Sequence, residues 1–147
     1  MPKGLRDALV GAWKLIEYYI PDKTNDGAKF YPMGDDATGF LTYTPDGYVS
    51  AHMMSSGRPA YKSGRLHTGT IEEMAQAAKG YMAYAGQYEV HEEAGTLIHH
   101  MEVSMNPTWL GQAQERHVRL EGDTITITSP ANSAVLVWKR AEDHAGK

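Results

Sequence analysis

Gly39-Phe-Leu-Thr-Tyr-Thr-Pro-Asp-Gly-Tyr-Val-Ser-Ala51 is the stretch whose reading decides the fold. Its first half alternates, with Leu41 and Tyr43 on one face, as a half-buried strand does. Pro45-Asp46-Gly47 then supplies a type I turn with glycine at the left-handed position, the chemistry of a three-residue hairpin. Val49, Ala51 and Met53 on the returning strand continue the face begun by Leu41 and Tyr43. The segment is an antiparallel hairpin.

Working outward, the same signature repeats. Gly11–Ile20 reads as a first strand, followed by a polar loop with Pro21, Asn25 and Gly27 and a short second strand over Lys29–Pro32. Residues 55–69 are rich in Gly, Ser, Pro and Arg and read as a long loop over one end of the sheet. Thr70-Ile-Glu-Glu73 matches a capping box, and Met74, Ala77, Ala78 and Tyr81 recur at helical spacing, so a helix of about three turns is expected there. Alternation resumes with Met82, Tyr84, Gly86, Tyr88 and Val90, turns at residues 92–95, and returns over Thr96–Met105. Further strands follow at Gln112–Leu120, Ile125–Thr128 and Val135–Lys139, with a tight turn at Gly122-Asp123. About 8–9 hairpin-linked strands and one short helix give an all-β fold, an antiparallel up-and-down β-barrel. No repeat or linker interrupts the chain, so residues 1–147 read as one domain.

The 147 residues suffice for a substantial core. A net charge of −4 without a basic run argues against nucleic acid as a partner. The absence of cysteine removes disulfides, thiolate metal sites and cysteine nucleophiles. No signal-peptide core and no stretch of membrane-span length stand out, so no membrane association and a cytoplasmic location are the expectation. His99 and His100 are adjacent on a strand and face opposite ways, no metal-ligand spacing occurs, and no phosphate loop or dinucleotide fingerprint is present. Neither metal nor cofactor is expected. Nothing in the chain fixes an oligomeric state.

A barrel of about eight strands has an interior able to hold one small ligand, and strand parity nominates its lining. Leu97, His99, Met101 and Val103 share a face that is apolar except for His99. Gln114, Arg116, Val118 and Leu120 share another, placing Gln114 and Arg116 inside at one end. A buried guanidinium needs an acid partner or an anionic ligand; Glu17 and Glu102 are the acids in view. Tyr43, Ala51, Met53, Tyr84, Tyr88, His99, Met101, Gln114 and Arg116 are therefore the candidate ligand-binding residues. His99, Tyr88 and Arg116 are the candidate acid–base group. Trp13 and Trp138, one on each terminal strand, read as closing the barrel floor.

Leu9-Val-Gly-Ala-Trp-Lys-Leu15, the hairpin at 39–51 and Gly57-Arg-Pro59 occur in that order. Tyr84-Ala-Gly-Gln-Tyr88, His99-His-Met-Glu-Val-Ser104, Asn106-Pro-Thr-Trp-Leu-Gly111, Gln114-Glu-Arg116 and Leu136-Val-Trp138 follow. Together they resemble the lipocalin-like domain family of bacteria and fungi over nearly the whole chain. The resemblance implies a calycin-type barrel and tasks such as binding, isomerising or cyclising a small molecule; fold alone does not choose among them. The expected function is binding of a small, largely apolar molecule, which can be acidic, inside the barrel. The alternatives are a cofactor-independent isomerase, cyclase or lyase built on His99, Tyr88 and Arg116, and a protein-interaction module with a filled barrel.

Overall fold

A computed structural model describes residues 4–131 and 133–145. The strands are β1 (Gly11–Pro21), β2 (Lys29–Phe30), β3 (Thr38–Tyr43), β4 (Tyr48–Met54), β5 (Tyr81–His91), β6 (Thr96–His100), β7 (Val103–Ser104), β8 (Ala113–Glu121), β9 (Thr124–Ser129) and β10 (Ala134–Arg140). Helix α1 spans Leu5–Leu9 and α2 spans Ile71–Lys79; Pro107–Trp109 forms a single 3-10 turn. All pairings are antiparallel, in the order β10-β9-β8-β6-β5-β4-β3-β1, and β10 pairs back onto β1. The chain is thus a closed eight-stranded barrel, with the short β2 and β7 added on β1 and β5.

The deciding hairpin forms as read. Tyr43 pairs with Val49 and Leu41 with Ala51, all four buried. Gly47, at a φ of 101°, takes the conformation that only glycine adopts without strain. At this end α1 plugs the barrel. The Glu92 carboxylate accepts from the backbone N–H groups of Leu5 and Arg6 at 2.7 and 2.9 Å, which holds the helix N-terminus over the opening. The Trp13 indole N–H donates to Leu9 O at 2.9 Å. The Arg140 guanidinium lies 3.9 Å from the centre of the Trp13 ring and donates to the carbonyls of Val10 and Ala8. Trp13 is accordingly part of the floor, as its position on the terminal strand suggests.

The capping box at Thr70 and Glu73 is present in both directions, but α2 ends at Lys79 and buries no side chain. Met74 is exposed, and Tyr81 is the first residue of β5, its hydroxyl hydrogen-bonded to His52 Nδ1 at 2.9 Å. The helical spacing of these residues is therefore not a core-facing stripe; α2 lies outside the barrel wall. The return strand also differs from its parity reading. His99 pairs with Tyr88, whereas Val103 pairs with Ala85, so the three residues His100, Met101 and Glu102 lie opposite the two residues Gly86 and Gln87. One extra residue makes a β-bulge and reverses the alternation beyond it. Val103, expected inside, is consequently exposed. Gly86 is required at this point because a Cβ there would sit 1.9 Å from His100 O.

A second irregularity, between Leu15 and Glu17 against β10, does the same on β1. Ile16 is left outside and Tyr18 is turned toward the interior.

Candidate functional site

The strands carry an interior cavity of about 40 Å³ toward the end opposite α1. Its wall includes Leu41 and Met53 from β3 and β4, Met82 and Tyr84 from β5, His99 from β6, Arg116 from β8, Ile127 and Ser129 from β9, and Leu136 and Trp138 from β10. Tyr18 and Trp109 complete the mouth. The apolar majority follows from the inward parity of every strand; the polar minority is what distinguishes the site.

His99 is 1% exposed and lies between two tyrosines. Its Nε2 is 2.8 Å from Tyr43 Oη and its Nδ1 is 2.8 Å from Tyr84 Oη. Burial, then the positive charge of Arg116, then His100, hold its pKa well below the ordinary imidazole value, so the ring is neutral near pH 7. A neutral ring donates from one nitrogen and accepts at the other. Tyr43 is fully buried, does not border the cavity, and has His99 as its hydrogen-bond partner among the described residues. Leaving its proton unbonded would be costly, so Tyr43 donates to Nε2. Nδ1 then carries the hydrogen and donates to Tyr84 Oη. This assignment leaves the Tyr84 O–H free to donate into the cavity.

Arg116 supplies the charge. It is 7% exposed, with Nη1 donating to Glu115 O at 3.2 Å and Nη2 donating to Gln114 Oε1. Among the described residues no carboxylate forms an ion pair with it. Of the two expected acids, Glu17 binds Lys29 at 3.0 Å and Glu102 accepts from Gln87 N at 2.6 Å. Burial raises the pKa of Tyr84, with Arg116 beside it acting in the opposite direction, so the phenol stays protonated. Trp138 adds a third donor: its Nε1 is buried and has no partner among the described residues. The cavity wall thus brings together the Arg116 guanidinium, the Tyr84 hydroxyl and the Trp138 indole N–H, and holds no carboxylate.

Of the residues expected from parity, Met53, Tyr84, His99 and Arg116 meet at this cavity. Tyr43 stands behind His99, and Ala51 and Met101 are packed into the surrounding core. Tyr88 also lies away from the cavity: its hydroxyl donates to Thr44 O at 2.8 Å and its ring packs edge-on against Tyr43, 4.9 Å between centres. The triad of His99, Tyr88 and Arg116 is therefore not assembled, because Tyr88 sits nearer the α1 end of β5. Gln114 lies in a groove outside the mouth. The candidate set leaves out the apolar lining residues Leu41, Met82, Ile127, Ala134 and Leu136, and also Tyr18, Trp109, Ser129 and Trp138, the last lining the cavity where its strand position suggests the floor. Ser129 is readable from the alternation of Ile125 and Ile127, whereas Tyr18 is hidden by the bulge on β1.

The family model described as "Lipocalin-like domain" matches residues 10–142. The chain belongs to this lipocalin-like family. The 4'-hydroxy-3'-methoxypropiophenone carrier protein ppsC of Aspergillus oryzae is 36% identical to this lipocalin-like chain over 87 residues, covering 55% of this chain and 78% of the relative. Among solved structures, an uncharacterized protein from Bacteroides eggerthii is 17% identical, with a TM-score of 0.49 and coverage of 90% of this chain and 99% of its own. A fatty-acid-binding protein of Schistosoma mansoni in complex with arachidonic acid is 18% identical, with a TM-score of 0.42 and coverage of 95% and 100%. Among the described residues no helix is long and apolar enough to cross a membrane.

Proposed function

We propose that this lipocalin-like barrel binds a small, largely apolar organic molecule through an oxygen acceptor, such as a carboxylate, phenolate or ketone. The supporting observation is Arg116, a buried guanidinium at the cavity with no carboxylate to neutralise it among the described residues. Such a charge is expensive unless something anionic or strongly accepting meets it. Tyr84 and Trp138 aim the same reading at an acceptor, and the carrier role named for the Aspergillus oryzae relative agrees with it. A barrel filled solely as a protein-interaction module has no use for these donors.

Catalysis by His99 is less well supported, because both ring nitrogens are occupied by tyrosines. His99 orients Tyr84 instead of reaching a substrate. The test is titration calorimetry with 4-phenylbutyrate and with 4'-hydroxy-3'-methoxypropiophenone. One molecule of each should bind per chain. Arg116→Met should weaken the acid at least about tenfold, the loss expected for a charge-assisted hydrogen bond. Absence of binding by both compounds, or full affinity in the variant, overturns the proposal.

A further inference from the structure

The cavity is too small for the molecule it is proposed to hold. At about 40 Å³ it has room for roughly three waters, whereas a benzene ring is accommodated by a cavity of roughly 150 Å³. A carboxylate or ketone with one or two carbons fits; an aromatic body does not. Immediately outside the mouth lies a groove of about 390 Å³, whose lining includes Trp109, Gln114, Glu115, Arg116, Ser129 and Pro130. Trp109, Arg116 and Ser129 border both spaces, so the two adjoin at these residues.

We propose that this outer groove is a second subsite, and that the ligand is an elongated molecule with its acceptor head inside the barrel and a flat, aromatic body in the groove against Trp109. The inference rests on the acceptor-head reading above and adds where the rest of the molecule lies.

Two features of the groove fit that occupant. The Trp109 indole is half-buried and fixed edge-on to Tyr84 with 6.2 Å between centres, so it offers a preset apolar surface beside the head site. Along the floor a chain of amides is already self-satisfied: Gln112 Nε2 donates to Thr108 O at 3.1 Å, Gln114 Nε2 donates to Gln112 Oε1 at 2.9 Å, and Arg116 donates to Gln114 Oε1. An apolar ring laid over this chain strands none of these hydrogen bonds. The chain also links Arg116, which meets the head, to the 3-10 turn that carries Trp109.

The experiment compares propionate, a head alone, with 4-phenylbutyrate, a head with a body, by NMR titration of protein labelled with 5-fluorotryptophan. The Trp109 resonance is assigned by Trp109→Phe. The proposal expects 4-phenylbutyrate to bind at least about tenfold tighter than propionate, a difference of about 1.4 kcal/mol. It also expects 4-phenylbutyrate to shift the Trp109 fluorine and to show contacts from its ring to that indole. Ala113→Trp, which fills the groove from an exposed position, should cut the preference to about threefold or less. Ring contacts to the methyls of Met53 and Met82 instead, or an undiminished preference in Ala113→Trp, overturn the second subsite and leave the head site standing. Failure of both acids to bind, or binding of both at full strength by Arg116→Met, overturns the head site and the groove with it.

Discussion

Arg116→Met should make the protein more stable while removing its affinity for acids. The guanidinium is 7% exposed, so folding strips nearly all its water, at an effective cost of several kcal/mol for an ion without a counterion. Its bonds to Gln114 and to Glu115 O return part of that. Methionine keeps much of the apolar stem, adapts to an irregular wall beside Met53 and Met82, and brings no charge. The balance is a gain of about 1–3 kcal/mol, comparable to the range seen when buried ion pairs are replaced by apolar side chains. For a chain of this length that corresponds to a rise in Tm of about 3–9 °C. Urea unfolding and calorimetry should show the gain with an unchanged m-value, and calorimetric titration the lost binding. If the variant is destabilised by more than about 1 kcal/mol, Arg116 is a structural keystone and the reasoning fails.

Tyr43→Phe should cost about 1–3 kcal/mol, because it leaves His99 Nε2 buried without a partner; equal stability in urea would show that the Tyr43–His99 hydrogen bond does not hold the core. Because the folded pKa of His99 lies well below its unfolded value, its contribution to stability is complete above about pH 6.5 and is lost as pH falls toward the folded value. Thermal melts from pH 7 to pH 4 should therefore decline less steeply in His99→Gln than in the parent chain, and parallel declines would contradict the assignment. Gly86→Ala should destabilise by about 3 kcal/mol or more, since its Cβ meets backbone at His100 O with nothing flexible to yield; a melt within a degree of the parent would show that the bulge relaxes freely.

Alternation and turn chemistry were enough to read the barrel, because a two-residue period and a glycine at position 47 leave little freedom once one face must be buried. The end of α2 was less legible. Tyr81 continues the helical spacing of Met74 and Ala78, yet Gly80 ends the helix and the backbone N–H of Ser55 bonds Gly80 O, drawing Tyr81 into β5. Within the site, Arg116, His99, Tyr84 and Met53 follow from parity alone. Val103 and Tyr18 do not, since each lies beyond a bulge, and one inserted residue inverts every inference downstream. Gly86 was the available hint: a glycine within a strand that its neighbour's backbone approaches closely. Tyr88 shows a different limit. Parity gives the face a side chain points to, but its height along the barrel axis decides whether it meets the cavity or the floor.

The seam between β1 and β10 joins Trp13 to Arg140 across most of the polypeptide. Ring closure must therefore wait for the final strand to emerge from the ribosome, and until then the nascent sheet presents two raw margins able to recruit foreign strands. Contacts so distant in sequence also slow the search for the native arrangement. Arg140, which locks onto Trp13 and the carbonyls of Val10 and Ala8 once the two margins meet, works as a latch on the completed cylinder.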